Sequence, residues 1–236
     1  KFKKDSQHLF LSRRILKMLS GILVLDKPAG ISSGQHIRKL KNFLTKEKIG
    51  HAGTLDPLAT GILIACLGQM TRFSDYISVL SKSYQAEILI GKQTTTGDIE
   101  GKILKETNFI PSERDIKNVI KSFIGEINQT PPIYSALKHK GKPLYKYARK
   151  GINVEIKPRK IFIDQINFLS LENNILKLEI TCGKGTYIRV LAEDIANKAG
   201  SLGTLANLRR IKSAGYNIGD SLDLDSLDKD NFRDKI

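Results

Sequence analysis

Asp56 is the residue in this chain best placed to do chemistry. It lies in Gly50-His51-Ala52-Gly53-Thr54-Leu55-Asp56-Pro57-Leu58-Ala59-Thr60-Gly61, just ahead of the apolar run Ile62–Cys66. Glycine opens backbone conformations closed to other residues and proline fixes φ, so a loop punctuated by both is stiff enough to aim one side chain. Taken alone, an Asp-Pro pair more often just starts a turn. One ionised carboxylate held this way can serve as a nucleophile or a general base. Glycoside hydrolysis by the usual route takes two. No second acid sits within the loop, and the nearest, Glu47 and Asp75, belong to flanking segments.

The elements that must position this loop follow from hydrophobic spacing. Gly21 to Asp26 reads as a short buried strand, and Ser32 or Ser33 then caps a helix with Ile37, Leu40 and Leu44 on one face. Ile62–Cys66 is a strand, followed by a helix around Arg72 to Leu80. Tyr84 to Ile90 alternates as a strand with Tyr84, Ala86 and Ile88 on one side. Gly91 to Gly101 reads as a polar loop. Ser112 with Asp115 resembles a capping box opening a helix with Ile116, Val119, Ile120 and Phe123. Strands are predicted at Asn153–Lys157, Lys160–Leu169 and Leu176–Thr181, then a helix from Thr186 to Lys198. On that helix Ile188, Leu191, Ala192 and Ile195 form the buried stripe, which places Arg189 on the outer face. Irregular interspersion of strands and helices favours an α+β sheet over a doubly wound one.

Composition narrows the class. The 236 residues carry 39 Lys and Arg against 24 Asp and Glu, a net charge of +15, which suits a polyanionic partner. The charge is uneven. Residues 1–20 hold six basic groups and one acid, whereas Asp220 to Asp234 supplies six acids against Lys229 and Arg233, a poor phosphate binder. Cys66 and Cys182 stand far apart with no CxxC pair, which argues against a zinc site and for a reducing compartment. The longest apolar run, Gly61 to Leu67, is far too short to span a membrane.

Five segments in order carry a resemblance: Gly21–Ser33, the Asp56 loop, Lys82-Ser83-Tyr84-Gln85-Ala86, Cys182-Gly183-Lys184-Gly185-Thr186-Tyr187-Ile188-Arg189, and Leu208-Arg209-Arg210. Together they resemble the TruB-type tRNA pseudouridine synthases over residues 21 to about 215. The resemblance implies a mixed, largely antiparallel central sheet with helices on its faces and a catalytic cleft across it. It implies isomerisation of uridine to pseudouridine in the T loop of tRNA, position 55, by base flipping, with no cofactor and no metal. Asp56 is then the essential carboxylate and Arg189 its partner, since an arginine beside a carboxylate in a water-poor cleft favours the charged form and fixes its oxygens. Tyr84 is implied to stack on the target uracil, with its hydroxyl a candidate acceptor for the C5 proton. Tyr187 and His51 are implied to contact the RNA, Leu208 to border the base pocket, and Lys27 to support the Asp56 loop or meet a phosphate.

The same resemblance sets expected boundaries. Residues 1–20 form a basic N-terminal extension of little functional weight, and 21–215 form the catalytic domain. Within it, an RNA-gripping insertion near 130–150 carries Lys138, Lys140, Lys142, Tyr145, Lys146 and Arg149. Residues 216–236 are a short acidic segment in place of the PUA-type domain many relatives carry. Thr95 departs from the acid many bacterial members have there. A cytoplasmic monomer acting on the tRNA T arm, away from membranes, is the implied setting. Two other readings stand beside it: a non-catalytic RNA-binding or tRNA-folding protein, and a guide-RNA-dependent synthase.

Overall fold

The computed structural model describes residues 19–42, 44 and 48–226. The first eighteen residues, Glu47 and the end of the acidic tail therefore lie outside the described residues. In chain order the strands that build the main sheet are β1 (Gly21–Lys27), β2 (Ile49–Ala52) and β3 (Thr60–Leu67), with the helix α1 (Ser33–Leu40) between the first two. Next come a 3₁₀ turn at Gly68–Phe73, the short helix α2 (Ser74–Ser78) and β4 (Lys82–Ile90). A hairpin of β5 (Lys92–Thr94) and β6 (Ile103–Glu106) precedes α3 (Glu113–Lys121) and β7 (Gly125–Gln129). The segment 138–148 folds as β8 (Lys138–His139), β9 (Lys142–Pro143) and α4 (Leu144–Ala148). The chain closes with β10 (Arg159–Glu172), β11 (Ile175–Cys182), α5 (Ile188–Lys198), β12 (Gly203–Ser213) and β13 (Tyr216–Asn217).

The sheet runs β1-β3-β12-β4-β11-β10-β7, with β2 beside β3 and β13 beside β12. Every pairing is antiparallel except β3 with β12, which run parallel. The sheet is therefore mixed and largely antiparallel. β3 sits inside it with both faces covered, which explains its unbroken apolar run from Ile62 to Leu67. Its Leu63, Ala65 and Leu67 pack with Leu25, Ile37 and Leu40, while Ile62, Ile64 and Cys66 belong to a second cluster with Val24 and Ala52. The largest cluster joins β4, β10 and β11 to Ile116 and Ile120 of α3 and to Ile188, Leu191 and Ile195 of α5. Among the described residues no helix is long and apolar enough to cross a membrane.

Several elements differ from the sequence reading. α1 has the predicted cap, Ser32, in a reciprocal box with Gln35, but ends at Leu40; Leu44 packs on the same cluster from outside the helix. The predicted helix at 72–80 is split between a 3₁₀ turn and α2. Gly91–Gly101 contains β5, whose partner strand β6 is wholly exposed and so carries no alternation to read. Asn153–Lys157 forms no strand and joins no ladder among the described residues. The described part of the acidic segment packs on the sheet: Leu222 exchanges backbone hydrogen bonds with β1, and Leu224 is buried in the α1 cluster.

Candidate active site

The Asp56 loop is fastened on both sides of the carboxylate and left open at it. Ser33, buried at the start of α1, donates its hydroxyl to Leu55 O (2.9 Å) and accepts from Leu55 N–H (2.8 Å). Gly30 N–H donates to Pro57 O at 2.9 Å, and Arg210 Nη2 donates to Gly53 O at 3.2 Å. Asp56 keeps 45% of its side chain exposed while Leu55 and Ala59 beside it are buried. Ser33→Ala strands both polar groups of Leu55 away from water, and a loss of roughly 1–3 kcal/mol is expected. Urea unfolding checks this; a change within about 0.5 kcal/mol, the ordinary surface value, would contradict it.

Arg189 enters the site from the first turn of α5. Its Nη2 stands 3.0 Å from Asp56 Oδ2 and donates to Tyr134 O at 2.9 Å. Its Nη1 donates to Thr96 O at 2.9 Å and lies 3.4 Å from Asp98 Oδ2. The side chain is only 7% exposed, so Arg189 is not a solvated cation on the outer face of the helix but the partner of Asp56. That face is covered by the 94–101 turn and by Tyr134, a layer helical periodicity cannot reveal. The turn is held against β12, where Leu205 N–H donates to Gly97 O and Ile99 N–H to Leu205 O. Asp98 is buried and fixed by the Thr96 hydroxyl at 2.6 Å. Thr95, by contrast, is exposed and pairs with Lys102, closing the turn without reaching Arg189.

These groups face a cleft of about 450 Å³ lined by His51, Asp56, Asp75, Tyr84, Tyr187, Arg189, Leu208 and Arg210, with Lys82 and Lys184 also on its wall. Tyr84 is buried on β4, and burial pushes its hydroxyl pKa up while the Arg210 charge draws it part of the way back. Tyr187 is anchored through its backbone: its N–H donates to Gln129 Oε1 (2.8 Å) and its carbonyl accepts from Gln129 Nε2 (3.1 Å). Burial, then the Arg210 charge, lowers the His51 pKa, which favours the uncharged ring. Asp75, distant by loop membership, shares the cleft after all.

Lys27 is placed differently from a substrate-binding residue. It is fully buried, and its Nζ donates to Pro28 O, Ile31 O and Pro57 O at 2.7, 2.8 and 3.3 Å. It braces the loop and does not line the cleft. Asp98, Gln129, Ser33 and Arg210 had no site role in the sequence reading; each acts through a contact across at least 22 positions, beyond any local spacing.

Burial brings the Lys27 amine down to about 8, with Asp56 opposing and Arg210 adding to the effect; Lys82 falls to about 8 in the same way. The unfolded chain holds these protons up to about 10.5. Between pH 8 and 10.5 the unfolded state therefore binds more protons, and these two groups make folding more favourable as pH rises through that window. A lysine NMR titration is expected to show two side chains moving near pH 8. All lysines titrating above pH 10 would contradict it.

A mixed sheet crossed by a cleft, with a loop carboxylate held by a buried arginine on its wall, has the pseudouridine-synthase fold. The chain aligns with the Cbf5–Nop10–Gar1 complex crystal structure (TM-score 0.69, 29% identity, 90% of this chain and 54% of that one). It aligns also with an H/ACA RNP bound to a substrate RNA containing 2′-deoxyuridine (TM-score 0.65, 26% identity, 90% of this chain and 53% of that one). It thus spans about half the length of those solved chains. The family model for TruB family pseudouridylate synthases, N-terminal domain, matches residues 41–188. Among similar proteins is tRNA pseudouridine synthase B of Methylobacillus flagellatus, 41% identical over 92% of this chain and 72% of the relative. That of Clostridium kluyveri is 45% identical over 91% and 74%. The chain belongs to the TruB family.

Proposed function

We propose that this chain isomerises uridine to pseudouridine in the T loop of tRNA, at the position the family numbers 55. The observation that carries the reading is the exposed Asp56 carboxylate, tied to a buried Arg189 that a second carboxylate, Asp98, also faces. Such a clamp holds the Asp56 oxygens still against a substrate without closing them off. The glycosidic nitrogen of a uridine stacked in an RNA loop is out of reach, so the nucleotide must flip into the cleft. There Tyr84 offers a ring to stack on and Leu208 an apolar border, while Tyr187 and His51 contact the displaced loop.

In the reaction Asp56 either attacks C1′ or removes the C2′ proton. Either route releases the base, which turns and rejoins through C5. The C5 proton then leaves, with the Tyr84 hydroxyl a candidate to relay it to solvent by giving up its own proton as it takes the new one, and the product is an isomer of the substrate. The insertion near 130–150 grips the T arm. Its Lys138, Lys140, Lys142, Lys146 and Arg149 are exposed and form no ion pair among the described residues, and Arg149 lies 5.5 Å over the Tyr145 ring. Cations interleaved with tyrosines suit phosphate contacts and stacking. The working form is a cytoplasmic monomer whose catalytic unit is 21–215.

The test is tritium release from [5-³H]uridine-labelled tRNA. Release without added RNA guides supports the reading. Binding of tRNA without release would favour an RNA-folding protein, and release only with a guide would favour a guided synthase.

A further inference from the structure

Arg210 is fully buried in β12, yet it is one of the residues that wall the cleft. Nε donates to Ile62 O at 2.6 Å and Nη2 to Gly53 O at 3.2 Å, while Nη1 is buried with no acceptor at good hydrogen-bonding geometry, the Tyr84 hydroxyl being the guanidinium's polar neighbour. Among the described residues no carboxylate pairs with it. A second cation converges on the same spot: a Cβ placed on Gly53 would stand 3.3 Å from Lys82 Cε and 3.6 Å from Arg210 Nη1. The Lys82 ammonium donates to Ser78 O and Leu80 O and, being a donor itself, cannot serve as an acceptor for Nη1. A charge held from water with an unused N–H is unfavourable unless an acceptor arrives. In the β4–β12 ladder Arg210 stands directly opposite Tyr84, so the two side chains rise on the same face of the sheet.

We propose that Arg210 is a further catalytic residue, whose Nη1–H donates to a carbonyl oxygen of the flipped uracil and stabilises the negative charge the base carries once it is detached. This rests on the uridine reading above and holds for either role of Asp56. When the C1′–N1 bond breaks, its electron pair stays on N1 and spreads over O2 and O4 of the ring. C1′ gains a bond to an Asp56 oxygen, or forms a C1′–C2′ double bond as Asp56 takes the C2′ proton. The guanidinium transfers no proton; its aligned donor meets charge that develops as the bond opens, where such a contact accelerates the step.

The test compares Arg210→Met and Arg210→Lys with the unaltered chain on T-arm RNA carrying uridine or 5-fluorouridine at the target, following glycosidic cleavage in a single turnover. Fluorine makes the departing base more acidic, so it needs less help. Arg210→Met is expected to slow cleavage about 100-fold on uridine and about tenfold or less on 5-fluorouridine, with Arg210→Lys between the two. Equal penalties on both RNAs would overturn the proposal and leave Arg210 as a brace of Gly53 and Ile62. A measurement on the unaltered chain covers variants that fail to fold. There 5-nitrouracil, an anion at neutral pH, is expected to compete with the RNA at a concentration about tenfold lower than neutral thymine; equal competition overturns the proposal. No cleavage of either RNA by the unaltered chain would sink the uridine reading itself, a separate result.

Discussion

Asp56→Asn is expected to lower pseudouridine formation at least about 10⁴-fold, the scale seen when a reacting group is removed from a site whose other parts remain. Asparagine keeps the shape of the side chain and loses the charge that attacks C1′ or takes the C2′ proton. The fold should barely notice. Asp56 is nearly half exposed, and an ion pair that open to solvent contributes about 0–1 kcal/mol. Arg189 also keeps Asp98 and the carbonyls of Thr96 and Tyr134 as partners, so no buried charge is left alone. Tritium release and tRNA affinity measured together check this. Loss of turnover with affinity within a few-fold is the expected pair, and near-normal turnover would remove Asp56 from the mechanism.

Gly61→Ala is expected to be the most damaging small change to the fold. Gly61 has φ +96° and lies opposite Arg210 where β3 and β12 run parallel. A Cβ there would fall onto the Arg210 carbonyl oxygen and stand 2.8 Å from its backbone nitrogen. Both contacts are backbone, so no side chain can swing aside. Backbone strain of about 1–3 kcal/mol adds to overpacking of similar size, giving a loss of roughly 4 kcal/mol. At about 2–4 °C per kcal/mol for a chain of this size, the melting temperature falls on the order of 10 °C. Calorimetry that found the variant as stable as its parent would disprove the close approach.

The regular strands were legible because one rule governed them. Tyr84, Ala86, Ile88 and Ile90 alternate inward along β4, and β3 is apolar from Ile62 to Leu67 because it is covered on both faces. β12 was not found as a strand, although it is central. Its register shifts between Leu205 and Asn207 and again between Arg210 and Lys212, and each shift breaks the two-residue period. β2 and β7 are short, with only one fully buried residue each. Asn153–Lys157 alternates as a strand does, but no neighbouring strand pairs with it among the described residues. At the site, the motifs supplied Asp56, Tyr84, Tyr187 and Arg189. Asp98 fits the family's pattern in its loop, but the motifs gave it no role, because its partnership with Arg189 crosses 91 positions.

Contacts of that span also set when the site comes into being. The Asp56 loop is tied to α1 across 22 positions and to β12 across 157, and Arg209 ties β12 to Asp26 of β1 across 183. A ribosome delivers the chain from its N-terminus, so the loop emerges long before the strand that fixes it. Until residues near 210 are out, Gly53 and Ile62 lack their guanidinium clasp, and until residue 189 is out the carboxylate lacks its clamp. The site is thus a long-range closure, among the slower kinds of contact to form. A half-made chain carries the signature loop without the means to use it, and the onset of activity marks the completion of the sheet.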